Sequence, residues 1–295
     1  MTDAAAIMAA AKTSLRDGRV LNVYEFGDPS GRPVLFMHGG GAGATGLFAA
    51  ASDQAARQQR IRLLAPDRPG LGESSPQPRR SVLDWPRDVG ELAESLHLDA
   101  FDIVSHSGGA AYALACASLL PERILSVHLV SATASKPLIL SREQRSIKTK
   151  VSMCLNASMR DRTLAAMFRR VETGLERDPG KAFQSFLRRL PACEQRSLAT
   201  PAIEDALRRC TVAALRQGSA GVIADLRLIF GDWGFPLESV RAPVTMWHGE
   251  CDSVSPLPVA HMLASKLPHS DLRTLPNEGH LSVWLNRSPD ILASI

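Results

Sequence analysis

The sequence predicts an α/β protein with a mostly parallel eight-stranded sheet, helices on both faces of it, and an inserted helical segment. Three observations carry that reading. Short apolar runs without alternation recur at 33–38, 61–65, 101–105, 124–130 and 244–248; segments of helical character lie between the first four; and the pattern stops near Ala134 and resumes only near Pro243. A continuous apolar run is what a strand buried on both faces requires, whereas a half-solvated strand would alternate. Strands that alternate with helices are joined by right-handed crossovers, which makes the sheet parallel and covers both of its faces.

The elements follow in order. Residues 13–16 and 19–25 flank Asp17-Gly18, a pair suited to a type I′ hairpin, so two antiparallel strands open the fold. A Gly27-Asp28-Pro29-Ser30-Gly31 turn leads to the first apolar run, which ends at His38. Helices are expected over 45–59, 82–97 and 108–120, and a last strand over 272–275. Between the two parts of the core, 1–134 and 241–295, residues 135–240 mix apolar and Arg-rich positions at helical spacing. Breaks fall at Asp178-Pro179-Gly180, Leu190-Pro191 and Thr200-Pro201, which makes this stretch an inserted helical subdomain.

Composition bounds the function. The chain of 295 residues is 45% hydrophobic and 22% charged, the balance of a globular protein. Its one apolar N-terminal stretch, 4–11, has no basic region before it and is too short to span a bilayer, so a cytoplasmic location and no membrane partner are expected. Five cysteines at 116, 154, 193, 210 and 251 form no CxxC pair, which predicts reduced thiols, no disulfide framework and no metal site. A net charge of +4 argues against a nucleic-acid partner. The charge is unevenly placed, with 18 Lys and Arg against 11 Asp and Glu in 136–240. Those arginines either solvate outer helix faces or draw in an anionic substrate.

The chemistry-bearing residues sit at strand ends. Ser105-His106-Ser107-Gly108-Gly109 lies where an apolar strand gives way to a helix rich in alanine. A nucleophile on a sharp strand-to-helix turn needs small residues two positions either side, and Ser105 and Gly109 fill those places around Ser107. The departure from GxSxG is Ser105 in place of the first glycine. His38-Gly39-Gly40-Gly41 follows the first apolar strand, and glycine there lets backbone N–H groups approach an oxygen that becomes negative. It has neither the spacing nor the lysine of a phosphate-binding loop.

These motifs resemble the α/β-hydrolase family over nearly the whole chain. The resemblance implies Gly40 and Gly108 N–H groups as the oxyanion hole, with Gly41 able to share the task, and His38 and His106 as loop supports or substrate-pocket candidates. Asp67-Arg68-Pro69-Gly70-Leu71-Gly72-Glu73-Ser74 also resembles a family signature, for which a structural role is expected, with Asp67 pairing locally. In the position of the family's base stands His280, in Asn277-Glu278-Gly279-His280, after the last strand. Asp252, in the turn after the strand at 244–248, takes the place of the acid; Glu250 is its local rival, and Glu278 is too near His280 in sequence to orient it. The catalytic set is therefore Ser107, Asp252 and His280, in the chain order of this fold. The implied reaction is hydrolysis of a carboxylic ester or related acyl bond in a small molecule, without metal or organic cofactor. Lactone, carbon–carbon or aminoacyl hydrolysis, cofactor-free peroxidase chemistry, and a binding protein that lost catalysis are the alternatives. The insertion is expected to cover the site as a cap, with residues 153, 167, 168, 183 and 186 forming an acyl pocket or simply packing helices. Assembly into a homo-oligomer is left open.

Overall fold

A computed structural model describes residues 11–41, 45–140 and 159–295. Eight strands form one sheet: β1 (Ala11–Ser14), β2 (Val20–Gly27), β3 (Arg32–Met37), β4 (Ile61–Pro66), β5 (Phe101–His106), β6 (Ile124–Val130), β7 (Val244–Gly249) and β8 (Ser270–Leu275), in the order β1-β2-β4-β3-β5-β6-β7-β8. The first two pairings, β1 with β2 and β2 with β4, are antiparallel, and β3 to β8 are parallel. The opening hairpin differs in detail from its expectation. Of the Asp17-Gly18 pair only Gly18 has positive φ, 85°, so the connection is a longer turn closed by Leu15 N–H on the Arg19 carbonyl (2.8 Å), not a type I′ turn.

The central strands β3 to β7 are mainly apolar because both faces are covered, whereas the edge strands β1 and β8 are largely exposed. Val34 and Phe36 face one cluster with Phe48, Ala56, Trp284 and Ile291, while Leu35 and Met37 face another with Val89, Leu92, Tyr112 and Leu263. This is the two-residue period of a strand expressed on two buried surfaces. The helices that supply these layers are α1 (Asp53–Gln58), α2 (Trp85–Ser95), α3 (Gly109–Leu119), and, after the insertion, α9 (Leu257–Ala264) and α10 (Ser282–Ala293). The helix expected over 45–59 is split, a 3₁₀ segment at Gly46–Ser52 preceding α1. α3 is made almost wholly of small residues, which lets it lie close under the sheet; a side chain at Gly109 would sit 2.1 Å from the Met37 carbonyl.

Between β6 and β7 run α4 (Asp161–Arg177), α5 (Pro179–Leu187), α6 (Ala192–Leu198), α7 (Pro201–Ala214) and α8 (Ser219–Phe230). Proline stands at the first turn of α5 and of α7, where its missing N–H costs nothing, and Asp178 and Thr200 cap those helices by accepting from Lys181 N–H (2.9 Å) and Ile203 N–H (3.3 Å). Phe168 packs with Leu164, Leu215 and Val222, and Phe183 with Leu187 and Leu198, so these residues join helices. Met167 and Phe186 are exposed, and Met153 lies outside the described residues. Cys116, Cys193, Cys210 and Cys251 are free thiols; Cys154 also lies outside the described residues. No helix among the described residues is long and apolar enough to cross a membrane.

Candidate active site

The carboxyl ends of the parallel strands gather the site. β5 ends at His106, and the next residue, Ser107, has φ of 54° before α3 begins. A non-glycine residue in the left-handed region is strained. The strain is held by Ser107 N–H donating to the Val130 carbonyl (2.8 Å) and by the Ser107 carbonyl accepting from Ala110 N–H (3.2 Å) and Thr133 N–H (3.3 Å). Behind the elbow, Ser105 is fully buried and its hydroxyl has no partner, so a larger side chain there would have no room.

Ser107 Oγ lies 2.9 Å from His280 Nε2, and His280 Nδ1 lies 2.8 Å from Asp252 Oδ2. The carboxylate can only accept, so Nδ1 carries the proton and Nε2 is left to accept from the serine hydroxyl. Asp252 is itself held in its turn, with Oδ1 accepting from Val254 N–H (2.8 Å) and Ser255 N–H (2.7 Å). Burial alone would lower the His280 pKa, but the facing Asp252 carboxylate outweighs it and the net shift is upward. The reverse balance holds at Asp252, where burial opposes ionisation and His280 prevails, leaving its pKa below the ordinary value.

His106 lies behind His280. Its Nε2–H donates to the His280 carbonyl (2.9 Å), and the two rings meet edge to face at 5.1 Å. Burial holds its pKa down at about 3, so it is a neutral brace. His248 donates from Nε2 to the Ser255 carbonyl (2.7 Å) and supports the acid turn. His38 is fully buried, with Nε2 accepting from Arg68 N–H (3.2 Å) and Nδ1–H donating to the Gly39 carbonyl (2.9 Å). It therefore shapes the glycine loop from beneath and does not line a pocket. Gly40 and Gly108 face one residue of the insertion, since a side chain at either would begin 2.6 Å from Ile229 Cδ1. Gly41, with φ of 84°, opens onto free space. Glu278 is buried and its carboxylate accepts from Asn286 Nδ2 (3.0 Å) and Arg287 Nε (3.1 Å), so among the described hydrogen bonds it is Asp252 that meets the His280 ring. Among the described residues no group of three or more His, Cys, Asp or Glu is clustered to hold a metal ion.

A family model described as the alpha/beta hydrolase fold matches residues 32–287, which includes every one of these positions. The chain belongs to the alpha/beta hydrolase family. It is 23% identical over 265 residues to an uncharacterized hydrolase, YcgS, of Bacillus subtilis, covering 90% of both chains. It is 33% identical over 117 residues to the dihydrolipoyllysine-residue acetyltransferase component of the acetoin cleaving system of Pseudomonas putida, covering 39% of this chain and only 30% of that protein. Among solved structures, an esterase from Exiguobacterium antarcticum superposes with a TM-score of 0.70 at 17% identity, over 97% of each chain.

Within this alpha/beta hydrolase two features escaped the sequence. Besides the local Glu73 N–H, the Asp67 carboxylate accepts from Asn22 Nδ2 (2.9 Å) and Gly46 N–H (2.8 Å), far off in the chain, and burial raises its pKa to about 6. Glu194 of α6 is fully buried with its Oε1 on the N–H groups of Leu281 and Ser282 (3.2 Å to the latter), so the insertion caps the helix that begins beside His280. These contacts leave no local pattern, because the partners lie 21 to 88 residues away.

Proposed function

We propose that this alpha/beta hydrolase is a serine hydrolase that cleaves a carboxylic ester or related acyl bond of a small molecule through an acyl-enzyme. The observation that carries the reading is the unbroken relay from Ser107 Oγ to His280 to Asp252, at 2.9 and 2.8 Å, on a strained elbow. A serine hydroxyl is a weak nucleophile until a base removes its proton, and that base works only when its tautomer is fixed.

In the proposed cycle Ser107 Oγ attacks the substrate carbonyl carbon as its proton passes to His280 Nε2. The carbonyl oxygen becomes negative against the N–H groups of Gly40 and Gly108. His280 then returns the proton to the leaving alcohol, which departs as the acyl-enzyme forms. Water, deprotonated by His280, attacks that ester and frees the acid and the serine. A serine at the elbow, where a carboxylate would form an ester with its substrate, speaks against epoxide or haloalkane hydrolysis. The esterase that superposes on the chain agrees with this reading at the level of fold. The surface cleft of about 510 Å³ lined by Met159, Arg160, Asp161, Arg162 and Arg227 contains no triad residue, so the anionic-substrate idea rests on charge alone.

The test is covalent labelling by a fluorophosphonate probe together with turnover of a series of p-nitrophenyl esters. Labelling and turnover are expected in the wild type and absent in Ser107→Ala. A folded wild type inert to both would replace the hydrolase with a binding protein on the same scaffold.

A further inference from the structure

The glycine loop has no conformation of its own. Gly39, Gly40 and Gly41 carry no side chain to restrict their φ and ψ, and Gly41 has φ of 84°, so the peptide plane between Gly39 and Gly40 can turn over at little intrinsic cost. Something outside the loop has to hold it. The Gly39 carbonyl accepts from Arg68 Nη2 (2.6 Å) and from His38 Nδ1 (2.9 Å), and the His38 carbonyl accepts from Arg68 Nη1 (2.6 Å). None of the described peptide bonds is cis, and in a trans peptide the C=O and the following N–H point in opposite directions. Fixing the Gly39 carbonyl onto Arg68 therefore aims the Gly40 N–H to the other side, away from the guanidinium. The loop also borders the nucleophile, since a side chain on Gly39 would begin 3.3 Å from Ser107 Cβ.

Arg68 is in turn fixed by the insertion. Asp225 of α8 accepts from its Nε (2.9 Å) and Nη2 (2.7 Å) as a bidentate pair, both side chains at most 1% exposed. Asp225 is further braced by the Tyr112 hydroxyl (2.7 Å) and Arg80 Nη2 (3.0 Å). The same helix presses Gly221 against the Gly70 carbonyl, 2.0 Å from where a side chain would begin. A buried ion pair adds little net stability, because desolvation offsets the attraction. What this one supplies is orientation: a planar fork with fixed donor directions that reaches two carbonyls and one carboxylate at once.

We infer that Arg68 and Asp225 are positioning residues of the oxyanion hole, through which the helical insertion aims the Gly40 N–H. The inference rests on the acyl-hydrolase reading above. It makes the insertion part of the catalytic apparatus and not only a cover.

Arg68→Lys keeps the charge and removes the fork, and Asp225→Asn keeps the shape and removes the charge that locks it. Each is compared with wild type for kcat and KM on a p-nitrophenyl ester, for inhibition by a trifluoromethyl ketone that forms a tetrahedral adduct, and for the folded fraction by circular dichroism. Removing an oxyanion donor outright typically lowers kcat about 100- to 1,000-fold, so misaiming one predicts a fall of about 10- to 100-fold. KM should move little, the ketone should weaken by the same factor as kcat/KM, and the acid limb of the pH profile, set by His280, should stay in place. A purely structural role would lower the folded fraction and leave kcat per folded molecule unchanged. That outcome in whichever variant folds, with Ser107→Ala inactive, would overturn the positioning role alone. A wild type inert to esters and to the probe would overturn the hydrolase reading beneath it.

Discussion

At the residue scale the site is a set of paired opposites. His280 and Asp252 are each buried, each would lose charge if alone, and each keeps the other ionisable. For a base this has a direct consequence. His280 must be unprotonated to accept from Ser107, and its pKa is raised, so kcat/KM should fall as pH drops through a value above the ordinary histidine 6.5. Asp252→Asn removes the carboxylate responsible for that rise. The acid limb should then shift to lower pH, and kcat should fall on the order of 10³- to 10⁴-fold as the Nδ1–H tautomer loses its partner. A pH–rate profile of the two proteins checks this, and an unmoved acid limb would mean that another carboxylate sets the base.

At the scale of elements, two glycines in neighbouring helices show how context decides what a residue does. Gly90 lies inside α2 with nothing within 4 Å of where a side chain would begin, whereas a side chain at Gly109, opening α3, would collide with the Met37 carbonyl. Gly90→Ala should therefore stabilise by up to about 1 kcal/mol, by helix propensity and by reducing the freedom of the unfolded chain. Gly109→Ala should destabilise by about 1–3 kcal/mol or more, because α3 and β3 must part. Urea unfolding of the two variants measures both, and equal midpoints would deny that α3 is packed as closely as described. The sequence-level argument for Gly109 came from the elbow motif, and the contact that enforces it comes from a strand some 70 residues earlier.

At the scale of the molecule, proton balance shapes stability. His106 and His128 are buried neutral, with burial holding their pKa values at about 3 and about 4, and burial lowers His38 and His248 as well. A histidine whose folded pKa is depressed takes up a proton only on unfolding, so it contributes stability above 6.5 that is lost as pH falls toward the folded value. Each contributes a slope of roughly 1.4 kcal/mol per pH unit in that window. Asp67, raised to about 6, works the other way, being protonated in the fold first and offsetting one such slope between about pH 6 and pH 4, and Asp102 and His280, whose pKa values are also raised, oppose the trend in the same sense. The four lowered histidines outnumber these three. Denaturant unfolding at pH 7.5, 6 and 5 should show stability falling steadily, and a flat response would contradict the neutral, buried state of these rings.

Much of this was legible in one dimension. The unalternating runs identified the parallel strands, because burial on both faces leaves no polar period. The residues around Ser107, Asp252 and His280 were legible because each follows a strand end, where the fold projects side chains to one rim. The sequence could not reveal that Asp225 would reach Arg68 across 157 positions or that Glu194 would cap the helix beside His280. Local patterning records which face of an element is apolar, a property of neighbours three or four positions apart. A buried ion pair between an inserted helix and a core loop leaves no such period. It exists only once packing has removed both charges from water and set each against the other.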